Sequence, residues 1–205
     1  MSNKLIGLAK PDITRKEIKA VIRVMRSGNL AQGPEVLAFE NEFSETLVTN
    51  LHSVAVNSGT SALHLLLLAN NIGSGHEVIV PSFSFAATAN SVELTGASTV
   101  FADIDPSTFC IDPNHVESLI SNKTRAIMAV HLYGMPANMP NLVEIAKRHG
   151  LLLIEDAAQA HGAMIGDILV GSFADGAAFS FYPTKNMTSG EGGMAVTRDQ
   201  DAERR

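Results

Sequence analysis

The sequence predicts an α/β fold: a three-layer α/β/α sandwich with a mostly parallel central sheet. Three observations carry that expectation. From about residue 54 onward, short runs of Val, Ile and Leu alternate with segments of helix length. Those runs are apolar at successive positions, as strands covered on both faces require. The 205 residues, 45% hydrophobic and 18% charged, suffice for one sizeable core and show no low-complexity block or repeat.

The elements follow in chain order. Thr14 and Glu17 have capping-box spacing, and Ile18, Val21, Ile22 and Met25 then recur at helical intervals, predicting an amphipathic helix that stops near Ser27-Gly28. Val36, Phe39, Phe43 and Leu47 predict a second. Residues 28–34, with two glycines and a proline, form the loop between them, so residues 1–50 make an N-terminal helical segment. Strands are expected at 54–56, 78–80 and 99–101, each followed by a helix, at 62–69, 86–94 and 116–120. A strand at 126–130 then leads to a helix at 141–149 that Gly150 ends, and 151–154 opens the next strand. Beyond Gly162 helices thin out, and 176–181 and 193–197 are expected as strands joined by a glycine-containing turn. Residues 199–205 begin a charged helix with no apolar face, which suggests one domain over 1–205 cut short at its C-terminal end.

Composition excludes several classes of partner. Fifteen basic against 21 acidic residues give a net charge of −6, leaving no cationic surplus for a phosphate backbone. No nucleic acid is expected. No apolar run approaches bilayer length and no signal peptide is evident, so no membrane association is expected either. Cys110 is the single cysteine. It cannot form an internal disulfide, which suits a reducing cytoplasm, and it is expected as a small buried hydrophobe rather than a metal ligand.

In open α/β sheets ligands collect beyond the carboxyl ends of the strands, and three such places carry suitable chemistry. Asn57-Ser58-Gly59-Thr60-Ser61 joins a strand to a helix start, where unpaired amides, hydroxyls and the helix dipole suit phosphate. Simple helix capping by Ser58 or Thr60 is the plainer alternative. Asp156 ends the strand after 151–154 and is followed by small residues that would admit a flat ligand, although a turn cap would explain it too. His161, shortly after, could be no more than a packed histidine. Lys185 follows the apolar run ending at Phe181, where burial would favour an amine nucleophile over a solvated cation. A phosphate cradle, a strand-end aspartate and an apolar-flanked lysine together are what a pyridoxal phosphate site needs.

With these residues in hand, the sequence resembles the pyridoxal-phosphate-dependent nucleotide-sugar aminotransferases of the DegT/StrS type, within the fold type I superfamily. The resemblance rests on SGNLAQGPEVLAFENEF, VNSGTSALHLLLLA, EVIVPSFSFAATANSV, VFADIDPSTFCID, HLYGMPANM, LLIEDAAQAHGA and FSFYPTKNMTSGEGGM, in that order. It implies that Lys185 is the Schiff-base lysine and Asp156 the carboxylate at the pyridinium nitrogen. It further implies that Gly59, Thr60, Ser61 and Ser180 hold the phosphate, that Gln159 lies near the ring, and that Phe85 stacks on it. For Phe85 the competing expectation is a core aromatic.

By the same resemblance the amino donor would be glutamate and the acceptor a keto sugar on a nucleoside diphosphate, for polysaccharide, lipopolysaccharide or antibiotic assembly. Homodimers with active sites at the subunit interface would follow, with residues 28–34 near that interface. Lysine at position 185, where dehydratase relatives carry histidine, favours transamination. Family members are longer, with a C-terminal domain that would complete the sugar pocket. The alternatives are a non-catalytic or regulatory protein on the same fold, an inactive fragment, or another pyridoxal-dependent sugar reaction such as dehydration.

Overall fold

The computed structural model describes residues 7, 9–49 and 51–204. Among the described residues nine strands run in chain order as β1 (His52–Val56), β2 (Glu77–Pro81), β3 (Ser98–Ala102), β4 (Thr124–Val130), β5 (Leu152–Asp156), β6 (Met164–Ile165), β7 (Ile168–Leu169), β8 (Gly176–Ser180) and β9 (Gly193–Thr197). Seven of them form one sheet in the order β1-β9-β8-β5-β4-β2-β3, while β6 and β7 pair as a small separate hairpin. The pairs β2–β3, β2–β4, β4–β5 and β5–β8 are parallel; β9 is antiparallel to both β8 and β1. Six strands therefore end at one edge of the sheet, and β9 begins there.

The helices are α1 (Arg15–Ser27), α2 (Pro34–Thr46), α3 (Gly59–Ala69), α4 (Ala87–Glu93), α5 (Pro113–Ser118), α6 (Met139–His149) and α7 (Gln200–Arg204). Alternation along the strands assigns them to two layers. Val78, Val80, Ala126, Met128, Ile154 and Ala178 pack on one face against Ala62, Leu63, Leu66 and Leu67 of α3 and Val92 of α4. Their neighbours Ile79, Ile127, Ala129 and Leu153 pack on the other against Val116 of α5 and Leu142, Ile145 and Ala146 of α6. Further along that second face Phe43 of α2 meets Phe179 edge-on, with ring centroids 4.9 Å apart. Both faces are covered, which is why the strands lack a polar side.

All seven expected sheet strands form, with ends shifted by one or two residues. Helix starts move further, and the caps explain each case. Ser58 accepts the Ser61 amide and starts α3 at Gly59 rather than 62. Asp112 accepts the Asn114 amide, and Pro113 at the first position starts α5 three residues early. Asn138 caps α6 in the same way, ahead of Met139-Pro140. Cys110 is buried as expected. Among the described residues no helix is long and apolar enough to cross a membrane.

Candidate active site

The sheet edge where six strands end holds a cavity of about 390 Å³, lined by residues that follow β1, β2, β4, β5 and β8 and precede β9. Its first wall is the start of α3. Ser58 Oγ accepts the Ser61 amide at 3.1 Å, leaving the Gly59 and Thr60 amides as first-turn donors without intrahelical partners. Glycine is required on both sides of this seat. A Cβ at Gly59 would stand 2.9 Å from the Ser180 Cβ, and one at Gly193 would stand 2.4 Å from the Ser58 carbonyl carbon. The helix start thus rests directly on the ends of β8 and β9, with the buried Ser180 beside it. Ser61 does not line the cavity: its hydroxyl donates to Asn57 Oδ1 at 2.6 Å. Of the residues expected at the phosphate, Gly59, Thr60 and Ser180 line the cavity, as does the capping Ser58.

The second wall is the end of β5. Asp156 is only 6% exposed. Its Oδ2 accepts from Thr88 Oγ1 at 2.9 Å and its Oδ1 from the Ala158 amide at 3.2 Å. Burial pushes its pKa up from the usual carboxylate value; the Thr88 and Ala158 bonds, and then the charge of Lys185, pull the other way. Gln159, also on the wall, accepts the Tyr133 amide through Oε1 at 2.7 Å. Tyr133 itself sits in the left-handed region (φ 52°).

Lys185 forms the third wall, with Tyr182 and Thr184. Its amide donates to the Tyr182 carbonyl at 2.9 Å, and the loop is closed where the Phe181 amide donates to Gly192 and the Ser189 amide to Phe181. Phe85 stands at the cavity with 73% of its surface exposed. The core-aromatic expectation for it is therefore incorrect; its ring is free to meet a flat ligand. His161 lies outside the lining, against Phe179 and Phe181 at 5.3 and 5.7 Å between centroids. Burial lowers its pKa to about 4, while Asn186 and the Ser180 backbone oppose the shift without reaching full hydrogen-bond geometry.

Three residues at this edge were not singled out from the sequence. His131 follows the apolar run of β4, the position that the strand-end rule favours, and it lines the cavity. Glu155 precedes Asp156 and is wholly buried. Thr88 lies in the first turn of α4, and no local pattern announces its bond to a carboxylate 68 residues away.

The residues present suit pyridoxal phosphate. Unpaired amides in a seat only glycines permit are a cradle for an anion; the buried Asp156 faces the cavity as a partner for a ring cation; Phe85 offers an exposed aromatic face; and Lys185 supplies an amine. A family model matches residues 11–205. The chain belongs to the DegT/DnrJ/EryC1/StrS aminotransferase family. It is 45% identical over 197 residues to the GDP-perosamine synthase of Caulobacter vibrioides, covering 96% of this chain and 53% of that protein. It is 47% identical over 183 residues to the dTDP-3-amino-3,4,6-trideoxy-alpha-D-glucose transaminase of Streptomyces venezuelae, covering 89% and 48%. The solved structure of S. venezuelae DesV superposes with a TM-score of 0.90 at 46% identity, over 93% of this chain and 52% of that one. This family member thus spans about half the length of the curated relatives it matches.

Proposed function

We propose that this chain carries the pyridoxal-phosphate-binding half of an aminotransferase that places an amino group on a keto sugar linked to a nucleoside diphosphate. The observation that carries the reading is the convergence of Lys185, Asp156 and the Gly59 and Thr60 amides on one cavity. Bound there, pyridoxal phosphate supplies an aldehyde that condenses with amines and a ring that takes up carbanion electrons.

The chain's own residues do the rest. The α3 start and Ser180 hold the phosphate, where the helix dipole favours negative charge. Asp156, held by Thr88 and Ala158, keeps a proton on the ring nitrogen. Phe85 and Gln159 orient the ring. Lys185 Nζ is the amine that anchors the cofactor and, once free, the base that moves a proton within the cavity. Glutamate as donor, a homodimer whose interface closes the site, cytoplasmic residence and a role in amino-sugar assembly complete the reading; the GDP- and dTDP-sugar relatives support the acceptor class.

The test is an absorption spectrum with added pyridoxal phosphate, before and after borohydride reduction, for the protein and for Lys185→Ala. A visible band present only with the lysine, and a reduced label mapping to Lys185, are expected. The absence of any lysine-dependent band would overturn the assignment. Product analysis with a panel of nucleotide keto sugars then decides the acceptor; turnover without amination would refute the transaminase reading.

A further inference from the structure

Glu155 is a buried ionisable group that the reading above does not use. Its carboxylate is fully buried, and four donors converge on it. The Phe173 and Ala174 amides reach Oε1, each at 2.9 Å, and the Gly171 amide reaches Oε2 at 2.8 Å. His131 Nε2 completes the set at 3.0 Å from Oε2. The His131 Nδ1 accepts the Ala137 amide at 3.0 Å, so the ring proton sits on Nε2 and donates to Glu155. The His131 backbone amide donates to the Asp156 carbonyl at 3.1 Å. One histidine is thus bonded to both successive acidic residues, by ring to Glu155 and by backbone to Asp156, and it also lines the cavity.

We propose that Glu155 is a positioning residue for Asp156: through His131 and residues 171–174 it fixes the strand end that aims the Asp156 carboxylate into the cavity. Ending β5 does not of itself require a buried charge, which is costly unless every lone pair is engaged. Here four donors engage it, three amides from residues 171–174 and His131, which itself lines the cavity.

The inference rests on the pyridoxal phosphate reading, and its test separates the two. Glu155→Gln and His131→Asn are compared with Asp156→Asn as the reference, by titration with pyridoxal phosphate and by the pH midpoint of the lysine-dependent visible band. Glutamine offers one acceptor oxygen and turns an NH₂ toward incoming donors. His131→Asn leaves the 171–174 bonds intact and decides the matter if the first variant does not fold. The dissociation constant is expected to rise about tenfold, the worth of one charge-assisted hydrogen bond, and the midpoint to move toward that of Asp156→Asn. Folded variants with the wild-type dissociation constant and midpoint would show that Glu155 holds only a loop. A wild-type protein without the band would overturn the cofactor reading and this inference together.

Discussion

Helices α1 and α3 invert the usual relation between pattern and packing. α1 has a sharp apolar stripe, a complete capping box at Thr14 and Glu17, and a left-handed Gly28 cap, yet it buries no residue. Ile18, Val21, Ile22 and Met25 are 41–65% exposed. α3, Gly-Thr-Ser-Ala-Leu-His-Leu-Leu-Leu-Leu-Ala, is apolar nearly all round and buries Gly59, Ala62, Leu63, Leu66 and Leu67. A stripe states which face a helix can bury; it does not supply the surface that covers it. α3 has that surface, because β8 and β9 lie beneath it and their small residues Gly176 and Gly193 let it approach. A Cβ at Gly176 would stand 2.9 Å from Leu66 Cδ2.

Substitutions can break this contrast, and the largest effect is expected in α3. Leu67→Ala, at a fully buried position, should cost about 3 kcal/mol in chemical denaturation. A loss under about 1 kcal/mol would show that the α3 layer is loosely packed. Gly193→Ala comes next, at about 2 kcal/mol, because its new Cβ meets backbone rather than a side chain that could swing away. It should also weaken pyridoxal phosphate binding; unchanged affinity would separate the cradle from the seat of the helix.

His161 extends the contrast to the opposite face of β8. Its pKa is lowered from the usual 6.5 to about 4 by burial, so the folded ring stays neutral where the unfolded chain takes up a proton. The stability it contributes is complete above about pH 6.5 and is lost as pH falls toward 4. The full shift corresponds to roughly 3 kcal/mol, and screening of the partly exposed ring reduces this to about 1–2 kcal/mol. Between pH 7 and 4.5 the melting temperature of wild type should therefore fall relative to that of His161→Phe; parallel curves would refute the account. The smallest effect belongs to α1, where Val21→Ala should change stability by under about 0.5 kcal/mol. A larger loss by denaturation would mean that its stripe is covered in solution.

The same contrast explains what was legible in the sequence. Strands buried on both faces have nowhere to place polar residues, so the runs at 126–130 and 193–197 mark β4 and β9 almost residue for residue. That Lys185 and Asp156 line one cavity was legible because both follow apolar runs that end at the same sheet edge. Ser61 was harder: its type suits phosphate, but Asn57 engages its hydroxyl. Phe85 was ambiguous because an aromatic at a helix start serves a core or a ligand equally well, and only its exposure separates the two. His131 and Glu155 depend on partners 24 residues apart, and Glu155 also on a loop beyond β7. Such long-range hydrogen bonding leaves no periodicity to detect. Strand order is hidden for the same reason, since the insertion of β9 between β1 and β8 is a tertiary choice.

That insertion has one more consequence. Because β9 runs against β8, the segment carrying Lys185 leaves the sheet and re-enters it at the same edge, pinned where Ser180 pairs with Gly193. No helical crossover has to be redrawn when residues 182–191 change. Lengthening such a tethered segment is thermodynamically mild, about 0.6 kcal/mol of closure entropy for each doubling. The cavity rim on this segment can therefore be altered at positions other than Lys185 while the pairing of Ser180 with Gly193, which anchors both of its ends, stays where it is.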